Sequence, residues 1–132
     1  MDIRKVTDSF AVSPQIRPED VQTLADEGYT TIICNRPDDE EFGQPLYESL
    51  AAQATTLGLD IHHLPIASGM FGPQHIAQMA ELIENSSGKV FAYCRSGTRS
   101  IMLWAFQEVT KRPRDEVLAL ADAAGYDLSQ QI

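Results

Sequence analysis

The stretch from Lys89 to Phe106, KVFAYCRSGTRSIMLWAF, constrains this chain more than any other. Lys89–Tyr93 is apolar after its first residue, on both of the sets that alternate along a strand. Such a run belongs at the centre of a sheet, with helices over both faces. Ser100–Val109 is apolar almost all round, which predicts a buried helix. Only a short polar turn separates the two. A buried strand that feeds directly into a buried helix is part of a parallel βαβ unit.

The rest of the chain repeats that alternation. Ser9–Val12 and Thr30–Cys34 read as strands, the second from its β-branched run, and Asp60–Leu64 as another. Pro18–Glu27, Pro45–Leu57, Pro73–Asn85 and Pro113–Ala124 read as helices. Each has proline at its start, and Gly28, Gly58 and Gly125 mark three of their ends. Between them lie two loops, Asn35–Glu41 and Ala67–Gly72. The count is four strands and five helices. It predicts one α/β domain over residues 1–132, a three-layer α/β/α sandwich around a mainly parallel sheet of four to five strands. Ligands of such sheets bind at the carboxyl ends of the strands, and Cys94 follows the end of the most apolar one.

A formal net charge of −9 with no basic stripe argues against nucleic acid as a partner, because phosphate neutralisation dominates that affinity. No window approaches the ~18 apolar residues of a membrane span, and MDIRKVTDSF lacks the apolar stretch of a secretory signal. Two cysteines 60 positions apart form no disulfide framework. These features predict a cytoplasmic protein. An anionic ligand must then find a local positive spot against an unfavourable overall field.

The turn Cys94-Arg95-Ser96-Gly97-Thr98-Arg99-Ser100 provides one. A strand-to-helix turn gathers backbone N–H groups at a helix N-terminus, which suits an anion. Gly97 permits the backbone angles and close approach of a cradle. The same dipoles favour the thiolate of Cys94, the nucleophilic form of cysteine. Arg99 supplies a permanently charged fork for two oxygens of a tetrahedral anion. Arg95, Ser96 and Thr98 would line the cradle, and the Ser100 hydroxyl would cap the helix or meet the sulfur. All of this requires a sulfur that a substrate can reach.

This turn resembles the signature of cysteine-dependent protein phosphatases and of rhodaneses. Dual-specificity phosphatases place five residues between cysteine and arginine. Here there are four, the rhodanese length. Together with AVSPQIRPEDVQTLADEGYTTIICNRPDDEE and HHLPI upstream, the turn looks like the phosphatase-like domain of the bacterial beta-lactamase hydrolase-like family, over about residues 9–110. The resemblance implies a tyrosine/dual-specificity phosphatase-like fold and phosphate ester hydrolysis through a phosphocysteine on Cys94. It departs from the pattern at two places. Tyr93 stands where tyrosine phosphatases carry histidine. The loop Ala67–Gly72, where dual-specificity phosphatases carry their general acid, holds no carboxylate. Protonating a leaving group is worth about 10²–10⁴ in rate, so a slow phosphatase, or an acid from elsewhere, is expected.

Asp38, in the loop after Thr30–Cys34, is the candidate substitute acid, with Arg36 beside it as a substrate-binding group. Four consecutive acids in that loop could equally be a solvated face. His62 and His63 are neighbours on a strand and must face opposite ways. Neither forms a metal-ligand spacing with His75, and no cofactor motif is present. Cys34 ends a strand next to that of Cys94 and could pair with it under oxidation, or serve as a small buried hydrophobe.

Three functions follow. The first is a phosphatase acting on a phosphorylated substrate. The second is a sulfurtransferase carrying a persulfide on Cys94 from a sulfur-bearing donor. The third is a non-catalytic module binding phosphate, sulfate or a similar anion.

Overall fold

The computed structural model describes residues 1–132. In chain order the elements are β1 (Arg4–Thr7), β2 (Phe10–Ser13), α1 (Asp20–Asp26), β3 (Tyr29–Cys34), α2 (Tyr47–Thr56), β4 (Asp60–His63), α3 (Pro73–Glu84), β5 (Lys89–Tyr93), α4 (Thr98–Glu108) and α5 (Arg114–Ala123). The sheet order is β1-β2-β5-β3-β4. Strands β2, β5, β3 and β4 are parallel, and β1 pairs antiparallel with β2. β5 therefore lies at the centre, as its unbroken apolar run predicts.

Alternation along β5 splits its side chains between two cores. Val90 and Ala92 pack with Met79, Ile101, Trp104 and Val117, on the α3–α4–α5 side. Phe91 and Tyr93 pack with Val21, Leu24, Leu50 and Ala54, on the α1–α2 side. These are the three layers that the sequence implies. α4 is the most deeply set helix, with Trp104 stacked on Phe10 at 5.8 Å between ring centroids.

Two features depart from the expected element list. β1 is a fifth strand, an edge strand of four residues in which only Val6 is buried. Arg4 and Lys5 keep it from reading as a core strand, and charge on an edge strand discourages pairing with other chains. α4 begins at Thr98, two residues earlier than expected, because Gly97 at φ +93° turns the chain straight into the helix. No helix is long and apolar enough to cross a membrane.

The register places Ser13 and Cys34 on either side of Tyr93, and His63 beside Cys34. The loops that leave β2, β5, β3 and β4 thus emerge at one edge of the sheet, where the Cys94 turn lies.

A candidate anion-binding active site

The Cys94 turn is held from behind. Gln15 donates its backbone N–H to the Arg95 carbonyl at 3.2 Å. Tyr126, beyond the end of α5, donates its hydroxyl to the Ser96 carbonyl at 2.8 Å. A Cβ on Gly97 would collide with that tyrosine oxygen, so position 97 needs glycine both for its φ and for the space. Nothing in the sequence near the turn points to Tyr126, which lies 30 positions downstream of Ser96.

At the front, Cys94 Sγ accepts the Gly97 N–H at 3.1 Å. Thr98 N–H turns back to Ser96 Oγ. The N–H groups of Arg95, Ser96, Arg99 and Ser100 make no hydrogen bond inside the protein. A helix N-terminus ringed by donors without acceptors is an arrangement that suits an anion. Cys94 is itself fully covered, at 0% exposure, so the openly exposed thiol that the sequence suggests is not found. It belongs to neither apolar core, however, and Arg95, Ser96 and Thr98 around it are exposed.

Arg99 is 9% exposed and its guanidinium is fixed on one side. Nη1 donates to Glu40 Oε2 at 2.8 Å and to the Ile66 carbonyl at 2.7 Å, and Nη2 donates to Glu40 Oε1 at 2.9 Å. Nε donates to no protein oxygen, and the guanidinium lies beside the Cys94 side chain. The arginine raises no question of ionisation, and its pairing holds the Glu40 carboxyl well below the ordinary range, at about 2. Glu40 is the carboxylate that the sequence reading missed. It stands third in the acid run, and only the course of the loop selects it.

That loop, the strap Pro37–Gln44, is itself tied down. Gln44 donates to the Pro37 carbonyl and accepts from the Glu40 N–H. Asp38 Oδ1 accepts the N–H of Tyr47 at 2.9 Å, capping α2, and makes no hydrogen bond to the Cys94 turn. Arg36 is brought to the site: its Nε donates to Glu40 Oε1 at 2.9 Å. Arg95 reaches the neighbouring Glu41 at 3.0 Å.

Ser100 does not touch the sulfur. Its hydroxyl donates to Asn35 Oδ1 at 2.8 Å, and Asn35 donates to the Leu64 carbonyl, which locks the β3 and β4 loops to the start of α4. His63 and His62 do face opposite ways. His63 stacks on Tyr47 at 4.4 Å, and its Nε2 meets the Arg36 carbonyl, while His62 lies with Gln78 and Glu81. His75 accepts the Gly72 N–H at the start of α3. Cys34 sits in the α1–α2 core, beside Tyr93 in register, and burial pushes its thiol up to about 11. Both cysteines are free.

The chain is similar to known phosphatase-like proteins. The family described as "Beta-lactamase hydrolase-like protein, phosphatase-like domain" matches residues 2–111. A beta-lactamase hydrolase-like protein of Xylella fastidiosa is 34% identical over the whole of this chain. The chain spans only 31% of that relative's length. A solved structure from Neisseria meningitidis, titled a "putative phosphatase", is 35% identical, covers 98% of this chain and 92% of its own, and superposes with a TM-score of 0.87. P. aeruginosa TpbA, solved with phosphotyrosine, shares the fold at a TM-score of 0.68 and 14% identity, over 96% of this chain and 76% of its own.

Proposed function

This chain belongs to the phosphatase-like domain family of the beta-lactamase hydrolase-like proteins, and on that premise we propose that it hydrolyses phosphate esters through a phosphocysteine on Cys94. The observation that carries the reading is the turn itself: Cys94 Sγ accepts the Gly97 N–H, while the four N–H groups around it await an acceptor and the Arg99 guanidinium lies beside it.

In the reaction Cys94 Sγ attacks phosphorus as the ester oxygen leaves with its electron pair. The equatorial oxygens gather negative charge, and the preset N–H groups with Arg99 stabilise it without reorganising. Glu40 and the Ile66 carbonyl keep the guanidinium in position. Water then hydrolyses the S–P bond and frees inorganic phosphate. Arg95, Ser96, Gly97 and Thr98 form the cradle, and Ser100 serves by holding the loops together.

Neither Glu40 nor Asp38 is free to protonate the leaving oxygen. Glu40 is held ionised by two arginines, and Asp38 would have to leave Tyr47 to take part. Aryl phosphates should therefore turn over far faster than alkyl ones, since about 10²–10⁴ of rate is forgone without an acid. An Asp38→Asn variant with the same leaving-group dependence keeps Asp38 out of the step. The free cysteines support a reducing, cytoplasmic setting.

The test is hydrolysis of an aryl phosphate by the protein and by Cys94→Ser. Turnover abolished by the substitution supports the reading, and turnover that persists overturns it. One observation favours a second reading: four residues, not five, separate Cys94 from Arg99. A shorter cradle suits a sulfur carrier. Cys94 would attack the outer sulfur of thiosulfate, sulfite would leave with the electron pair, and cyanide would take the sulfur from the persulfide. Thiocyanate formation with a one-sulfur mass gain on Cys94, and no ester hydrolysis, would decide for it.

A further inference from the structure

Arg36 is the charged group of the site that this mechanism leaves unused. It is 2% exposed. Nε donates to Glu40 and Nη1 to Gln15 Oε1 at 3.0 Å, but Nη2 is buried without any hydrogen-bond partner. Glu41 forms an ion pair with it at 3.9 Å, beyond hydrogen-bond reach. A buried donor without an acceptor costs free energy, and a ligand oxygen would remove that cost. Arg36 and Arg99 also converge on one oxygen, Glu40 Oε1, each at 2.9 Å. The two guanidinium groups thus share Glu40, and the second carboxylate, Glu41, pairs with Arg36 only at that longer distance.

We infer that the substrate is a phosphoanhydride, with the scissile phosphoryl group on Arg99 and the Cys94 turn and the adjacent phosphate on Arg36. The inference rests on the phosphatase reading and deepens it. With Glu40 in place both guanidinium groups already hold a carboxylate, and a diphosphate would enter against that charge. Its phosphate oxygens take the place of the Glu40 carboxylate on the two guanidinium groups, which share Glu40 Oε1. Cys94 Sγ then forms its bond to the terminal phosphorus as the bridging O–P bond breaks. The leaving phosphate keeps the electron pair and departs as a stable anion, so it needs no proton donor. Water cleaves the S–P bond, which yields inorganic phosphate, restores the thiolate and releases a proton to solvent. The missing acid and the unsatisfied Arg36 Nη2 thus have one explanation.

The experiment measures binding of inorganic phosphate and of pyrophosphate, from the concentration dependence of the unfolding midpoint, in Cys94→Ser protein where nothing turns over. Glu40→Gln is then added, and Arg36→Gln on top of it. Pyrophosphate should half-saturate at a concentration lower than phosphate by about tenfold or more, as expected for a second charge-assisted contact. Glu40→Gln should tighten both ligands. Arg36→Gln should remove the pyrophosphate advantage and leave phosphate binding. The ligand-free midpoint in the same scan reports whether each variant is folded. Independently, the unsubstituted protein should turn over pyrophosphate faster than an alkyl phosphate. Weaker phosphate binding in Glu40→Gln would make Glu40 a positioning residue only and overturn the inference. So would pyrophosphate that binds or reacts no better than its monophosphate counterpart. Aryl phosphate turnover that survives Cys94→Ser would instead overturn the earlier reading, and that is read in a separate assay.

Discussion

Two arginine networks in this molecule use the same chemistry to different ends. Arg112, after α4, donates to Glu108 and Glu116, each four positions away, with its side chain 36% exposed. It joins neighbours in sequence. At the site, Arg36 and Arg99 are 2% and 11% exposed in their side chains, and Glu40 reaches Arg99 across 59 positions. That network joins the strap after β3 to the turn after β5. An exposed i,i+4 pair is worth a few tenths of a kcal/mol, because water screens it and two long side chains must be ordered. A buried pair has exchanged hydration for partners, so removing one partner strands the other. The first network is a local staple. The second ties the Cys94 turn to the loop that carries the candidate substrate contacts.

Arg99→Ala should separate the two most. It leaves Glu40 facing Arg36 alone and removes the clamp, so aryl phosphate turnover should fall on the order of 10²–10³-fold. Chemical denaturation should show a loss of about 3 kcal/mol. A stability loss equal to that of a surface pair would break the contrast.

Acid should come next. Glu40 is depressed from 4.5 to about 2 by its hydrogen bonds to Arg99 and Arg36. Its folded pKa lies below its unfolded one, so its contribution is fully present above pH 4.5 and is lost as the pH falls through about 2. Stability should decline across that window, and Glu40→Gln should flatten the decline. An unchanged slope would place the pair's energy elsewhere.

Arg112→Ala should be the mildest. It should cost about 0.5 kcal/mol for the exposed Glu116 pair and more for Glu108, whose side chain is 11% exposed, and leave turnover unchanged. A drop in activity would mean that the two networks communicate through α4.

Much of this arrangement was legible in residues that act locally. The apolar run of β5, the proline starts and the glycine ends gave the layers, because burial and backbone angle leave marks where they occur. Gly97 announced its own φ. β1 did not, since an edge strand with one buried residue and two cations looks like a solvated terminus. Within the acid run Asp38–Glu41 the sequence offers four carboxylates and no means to rank them. The ranking comes from the path of the strap, where Asp39 takes φ +62° and Asp38 is spent on α2. Tyr126 and the Asn35–Ser100 bond were equally silent, because their partners are brought together only by the sheet. The burial of Cys94 was equally unmarked in the residues of the turn.

The most direct measurement is the mass of Cys94 during turnover. Protein mixed with an aryl phosphate and quenched rapidly in acid should carry one phosphoryl group on the peptide containing Cys94, and none in Cys94→Ser. Steady hydrolysis with that peptide unmodified at every time point would contradict the account.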